Sequence, residues 1–267
     1  MIRKCVMSLV AVAILPLGTP LFAQAAAGAG TKVLVPADRP GAAAEIVRQG
    51  GSLIARRGAY DVYVVGSARL NALSSLEGVE ARPDFDRIML HRGAIDTTKT
   101  APAAPAAMNS LASGPRLMLV QFAAPPVDGD LEMLAGSGAR VVQYIPENAY
   151  LIWGGDEAGA ALRNRMGAGG ALQFLGEYYP YYALSPRLDA ATQQDSLAMI
   201  TVQFFNYGPG ALADAERLAA AAAKVIDPPR EALDGRYLNA RLAVSGADIP
   251  AITKLPGVVW VEPYVPP

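Results

Sequence analysis

Beyond Cys5 the chain has no cysteine, and it carries a single histidine, His91. Thiol chemistry and disulfide bracing are therefore excluded for everything after the first residues. A zinc-type site lacks its nitrogen and sulfur ligands. Carboxylates remain, yet no Asp/Glu cluster has the spacing of a calcium loop; Asp84 and Asp86, in PDFDR, read as exposed charges after a strand. Charge itself is scarce, with 18% charged residues and a formal net charge of -1. No basic excess favours nucleic acid or an anionic membrane.

A hydrolytic site is missing as well. A serine-peptidase centre needs a nucleophile, an imidazole to take its proton and a carboxylate to orient the ring. His91 lies in Arg87-Ile88-Met89-Leu90-His91-Arg92-Gly93, where it reads as a solvated residue at a strand end, and no Gly-flanked serine resembles a nucleophile segment. Gly154, Gly155 and Gly159 lack a phosphate-loop pattern and read as a turn. Neither a catalytic constellation nor a cofactor is expected.

What is present begins with an export signal. Arg3 and Lys4 precede an apolar run from Cys5 to Phe22, and Ala23-Gln24-Ala25 offers small residues for cleavage. Residues 1–25 are expected to leave, giving a secreted or periplasmic chain with no membrane attachment. Loss of Arg3 and Lys4 leaves 21 basic against 24 acidic residues, a net charge of -3. Apolar residues make up 52% of the sequence, enough for real cores.

Two breaks divide the rest. Residues 97–115 (from TTKTAPAAPAAMNSLASG) are rich in Ala, Pro, Ser and Thr without apolar periodicity and read as a linker; 187–197 form a second polar break. The pieces 26–96, 116–186 and 198–267 are of similar length, which invites an internal comparison. In the middle piece Arg116 to Phe122 is a largely apolar run bounded by Pro115 and Pro125, as a buried strand would be. Val127, Leu131 and Leu134 then recur at helical spacing. Val141 to Ile145 and Ala149 to Trp153 flank Pro146-Glu147-Asn148 as a hairpin. A helix from Asp156, with that residue as N-cap, and a strand from Ala171 to Tyr178 complete a βαββαβ order.

The same order is read in the first piece, closing from Val79 onward, and in the third, from Met199 to Val261. The junction after the second helix repeats: Leu76-Glu77-Gly78-Val79 runs to Pro83, and Leu255-Pro256-Gly257-Val258 runs to Pro263. The expected fold is α+β, three tandem ferredoxin-like βαββαβ units, each a four-stranded antiparallel sheet with two helices on one face. The other face of each sheet is left either solvated or free to dock a partner. Tyr178-Tyr179-Pro180-Tyr181-Tyr182 is a candidate contact surface of the same ambiguity, packing against a neighbouring unit or meeting a partner.

Leu117-Met118-Leu119-Val120-Gln121-Phe122 and the segment Gly138-Ala139-Arg140-Val141-Val142-Gln143-Tyr144-Ile145-Pro146-Glu147-Asn148-Ala149-Tyr150-Leu151 resemble the amino-terminal region of large secreted bacterial subtilisin-like serine peptidases. The tail Leu255-Pro256-Gly257-Val258-Val259-Trp260-Val261-Glu262-Pro263 is similar to the end of a subtilase prosegment or its peptidase-inhibitor relative. The resemblance implies a prosegment that assists folding of a subtilisin-like peptidase, in cis or in trans, and inhibits it. Its open sheet would dock on two enzyme helices, with the following tail in the substrate cleft. It also implies that Glu147 caps enzyme helices, as a carboxylate at a helix N-terminus does. Glu147, Asn148, Tyr150, Tyr178, Tyr181, Tyr182, Trp260, Glu262 and Tyr264 are the candidate partner-binding residues. The family's Asp, His and Ser motifs are not among these residues, as in the front part of a precursor. Val265-Pro266-Pro267 suits a cleft poorly, because proline donates no strand hydrogen bond. A non-catalytic adhesion or assembly module is the alternative reading.

Overall fold

The computed structural model describes residues 23–24, 30–99, 104–109, 113–166 and 171–266. Of the expected export signal only Ala23–Gln24 falls within this range; the rest of 1–25 lies outside the described residues. Those two residues form a short strand, β1. The first unit then runs β2 (Thr31–Pro36), α1 (Pro40–Arg48), β3 (Ser52–Arg56), β4 (Tyr60–Val65), α2 (Ser67–Leu73) and β5 (Glu80–Ala81). Its core joins Val33, Val35, Tyr63 and Val65 of the sheet to Ile46 and Leu73 of the helices. Pro40 in the first turn of α1 costs that helix nothing, since its missing N–H would have no intrahelical partner.

The second unit contains β8 (Arg116–Phe122), α3 (Asp128–Gly136), β9 (Arg140–Ile145), β10 (Ala149–Gly154), α4 (Asp156–Arg165) and β11 (Leu172–Glu177), after a separate hairpin of β6 (Arg87–Leu90) and β7 (Gly93–Asp96). The third contains β12 (Leu197–Phe205), α5 (Pro209–Ala221), β13 (Lys224–Ala232), β14 (Tyr237–Ser245), α6 (Ile249–Ile252) and β15 (Val258–Pro263). The sheets are ordered β3-β4-β2-β5, β9-β10-β8-β11 with β1 added beside β11, and β13-β14-β12-β15. Each block therefore places its strands in the order second, third, first, fourth, and the ladders are antiparallel. The fold is mixed α+β, built from small antiparallel sheets with helices.

Several local expectations are corrected. Gly155, in extended conformation, is the N-cap of α4, and Asp156 is its first helical residue, taken up by Arg116 at 2.6 Å. β13 extends through Pro228 and Pro229 to Ala232, well past Ile226; it is an edge strand with two register shifts, where a residue without an N–H is tolerated. The hairpin β6–β7 was not expected as an element. Pro83 starts a 3-10 turn directly after β5 and turns the chain away from the first sheet, toward the second. The repeated junction is a structural one: Gly78 and Gly257 have φ of 79° and 74°, a left-handed turn that a side chain would strain.

The second sheet is buried on both faces. Met118, Val120, Phe122, Ile152 and Leu175 face Leu134 and Leu162 of its helices. Leu117, Leu119, Leu151, Trp153 and Phe174 face a different set, Ile88 and Ile95 of the hairpin, Ala104, Tyr178, Tyr182 and residues of the third unit. Each such apolar side chain contributes about 1.5–3 kcal/mol relative to exposure. The stretch 97–115 is mostly exposed where it is described but anchored at Thr97 and Ala104, which are buried, and in 187–197 Leu188 and Thr192 are buried as well.

Between the first and second units lies a buried polar network. Lys32, 3% exposed, pairs with Asp86 and donates to the Phe85 carbonyl at 3.2 Å and to Gln173. Gln121 donates to the carbonyls of Arg87 (2.9 Å) and Glu147 (2.8 Å) and accepts from Thr97 (2.7 Å). Burial pulls the Lys32 ammonium down from its ordinary pKa, while Asp86 pulls it up; burial is the larger influence. Between the second and third units the Trp153 and Tyr207 rings stack at 4.5 Å and 4°, and Arg140 donates to the carbonyls of Asn206 (2.9 Å) and Tyr207 (3.2 Å).

Lys32→Met is expected to lower unfolding stability by about 3–5 kcal/mol, because it strands a buried carboxylate. Lys32→Met combined with Asp86→Leu should recover much of that loss. Urea denaturation of the two variants checks both, and equal losses would sink this account of the network.

Candidate partner-binding face and cleft

The third sheet differs from the second in having one uncovered face. In β12, Ile200, Val202 and Phe204 are buried against Ala211, Ala215, Ile249 and Ile252. Their neighbours Met199, Thr201 and Gln203 point the other way, and Met199 is 44% exposed. Register places Arg241 and Glu262 on either side of Thr201, and Asn239 and Trp260 on either side of Gln203. The face is held in place by its own bonds. Gln203 donates to Asn239 (3.2 Å), Arg241 pairs with Asp227 (2.6 Å), and the Trp260 indole N–H donates to Glu262 (3.2 Å). The Arg241 guanidinium lies 4.9 Å above the Tyr264 ring, so one cation serves both an acid and an aromatic.

At one end this face opens into a cleft of about 440 Å³ between β9, the tip of the β6–β7 hairpin and β15. Met89, His91, Gln143, Tyr144, Tyr182 and Trp260 are among its walls, and no Asp, Glu, Lys or Arg lines it. His91 is exposed and packs its ring 4.5 Å from that of Trp260, tilted by 38°. Tyr182 is 6% exposed and its hydroxyl, buried, has no hydrogen-bond partner among the described residues. Burial pushes that phenol up to about 12, with Tyr179 and Tyr181 adding to it. Tyr178 is raised further by burial, its hydroxyl donating to the carbonyls of Val259 (3.0 Å) and Tyr182 (3.1 Å).

The candidate residues fall into three places. Trp260, Glu262 and Tyr264 gather on the uncovered face. Tyr178 and Tyr182 lie inside the chain, where they join the second unit to the third, and Tyr181 lies 4.4 Å beneath the Arg92 guanidinium. Glu147, Asn148 and Tyr150 belong to the second unit's hairpin, which is docked on the connecting segment. The Glu147 N–H donates to the Arg87 carbonyl (3.2 Å), its carboxylate is 3.7 Å from Arg82, and Asn148 is buried. Tyr150 sets its ring edgewise to those of Tyr144 and Phe122. Met199, Thr201, Gln203 and Arg241 were not singled out from sequence; only Thr201-Val202-Gln203-Phe204 alternates there, behind an unbroken apolar start. Gln143 and Tyr144 gave no such signal, because only folding brings β9 against β15.

Among the described residues no group of three or more His, Cys, Asp or Glu is placed to hold a metal ion, and no helix is long and apolar enough to cross a membrane. In comparisons with known proteins, a family described as a domain of unknown function, DUF8729, matches residues 89–175, about a third of the chain. No curated protein and no solved structure matches. The matched region starts within the β6–β7 hairpin and ends in β11, so it takes in a piece of the hairpin together with the sheet that the hairpin covers.

A phenol whose folded pKa is raised favours the folded state only while it stays protonated. Above pH 10 the unfolded chain ionises these tyrosines and the folded one does not, so stability should fall as pH rises from about 10 to 12. Absorbance of tyrosinate during alkaline titration should show a late fraction that appears together with unfolding. Titration of every tyrosine near pH 10 in the folded chain would refute it.

Proposed function

We propose that the chain is a secreted docking scaffold that binds a subtilisin-like serine peptidase, as inhibitor or folding assistant, through the uncovered face of its third sheet. The observation that carries the reading is the contrast between sheets: the second is covered on both faces by the chain itself, whereas β12, β14 and β15 leave Met199, Thr201, Arg241, Glu262 and Tyr264 available. The identity of the partner comes from the resemblance of the Leu255 to Pro263 tail to a subtilase prosegment. The same reading takes the three blocks as copies of one ferredoxin-like unit. Their common strand order and the paired glycine turns at Gly78 and Gly257 support it.

In this account the first two units position the third. The Trp153–Tyr207 stack and the Arg140 bonds tie the root of β12 to the second sheet. The face itself is mixed, with an apolar Met199, a neutral Thr201 and paired charges, which suits a polar-rimmed protein interface better than a core. Glu147, engaged near Arg82 on a different unit, has no part in this face.

The purified chain should slow peptide hydrolysis by a co-encoded subtilisin-like peptidase and co-elute with it. Thr201→Arg should weaken the complex by roughly tenfold or more, about 1.4 kcal/mol, since a long side chain in the middle of the face holds the two surfaces apart. Leu212→Arg, on the exposed side of α5, should leave it unchanged. A chain that neither slows the peptidase nor co-elutes with it defeats the reading.

A further inference from the structure

The cleft between β9, the β6–β7 tip and β15 carries more than the sheet face does. Among the described residues its lining has no Asp, Glu, Lys or Arg, so a charged ligand group entering it would lose water without meeting a permanently charged side chain. It has ring faces at Trp260 and Tyr144, the latter 51% exposed. It also has two amides with complementary vacancies. The Tyr237 hydroxyl shares its proton between the Val142 carbonyl at 3.0 Å and the Gln143 carbonyl oxygen at 3.3 Å, and the Gln143 amide nitrogen has no partner among the described residues. The Gln203 nitrogen is spent on Asn239 at 3.2 Å, which leaves its oxygen as an acceptor. One free donor and one free acceptor match the carbonyl and N–H of a peptide unit.

Two further features favour a peptide. One wall is β9, the edge strand of the second sheet, beside which an extended backbone can lie. The volume, about 440 Å³, is that of a small-ligand site and accommodates a ring with its adjoining amides.

We propose that this cleft binds an uncharged peptide segment through an aromatic side chain, which enters between Trp260 and Tyr144 while its backbone bonds Gln143 and Gln203. The inference rests on the proposed docking only for whose peptide it is: Gln203 and Trp260 belong to both face and cleft, so a partner lying on the sheet would present the segment. Binding to the cleft needs no peptidase and is tested on the chain alone.

The probe is N-acetyl-tyrosinamide, read by the two tryptophan indole N–H signals in nuclear magnetic resonance, with Trp260→Phe to assign them. It should shift the Trp260 signal saturably, with a Kd on the order of 1 mM for so small a ligand, and leave that of Trp153 in place. N-acetyl-tyrosine, which adds a carboxylate, and the variant Tyr144→Ala should each weaken binding roughly fivefold or more. The Tyr144 ring is exposed enough for its removal to leave the remaining spectrum intact. No movement of the Trp260 signal overturns the proposal, as does equal binding of the carboxylate form. Saturation by methyl glucoside in place of the tyrosine amide would make the cleft a sugar site and overturn it too. Failure of these arms with peptidase binding intact removes the cleft alone; the reverse outcome removes the docking partner and keeps the cleft.

Discussion

Everything else in this molecule is arranged around the burial of both faces of the second sheet. A four-stranded sheet with helices on one side leaves a second apolar side, and here Leu117, Leu119, Leu151, Trp153 and Phe174 make that side too greasy for water. The chain solves this with its own connections. The β6–β7 hairpin supplies Ile88 and Ile95, the stretch after β11 supplies Tyr178 and Tyr182, and the third unit closes the remaining edge with Phe205 and Tyr237. These connections are therefore part of the core.

The covers come with polar groups that must be satisfied, and the way they are satisfied fixes register between units. Gln121 sits in the middle of the apolar β8 and is fully buried, yet it bonds Arg87, Glu147, Thr97 and Gln173 across three segments. Lys32 carries that network into the first sheet. Buried hydrogen bonds are directional where apolar contact is not, so the network allows one seating of the first unit on the second. On the far side, ring stacking at Trp153 and the bonds of Arg140 do the same for the third unit. The uncovered face and the cleft beside it are what remains once these demands are met.

Much of this was legible beforehand, and the reasons are local. The span of β8 agrees residue for residue with its apolar run, and the flanking prolines mark where it must end. The hairpin of β9 and β10 and the glycine turns at Gly78 and Gly257 follow from short-range geometry. The hairpin β6–β7 was not legible, because RIML and GAID are too short for a period to show and their stability comes from the sheet beneath. The aromatic run after β11 had two readings from sequence, and its burial against the third unit depends on a partner surface some eighty residues away, at Val259.

The sequence by itself determined the order of strands and helices within each of the three blocks and the lack of thiol chemistry beyond Cys5. These properties depend on neighbours along the chain, where spacing of two or of 3.6 residues is enough to set them. Only the tertiary structure decided which sheet faces stay open, that Lys32 would be buried against Asp86, and that His91 would lie on Trp260 at the mouth of an uncharged cleft. Those outcomes turn on surfaces that meet across tens of residues, where shape and unsatisfied polar groups choose the partner and no local pattern records the choice.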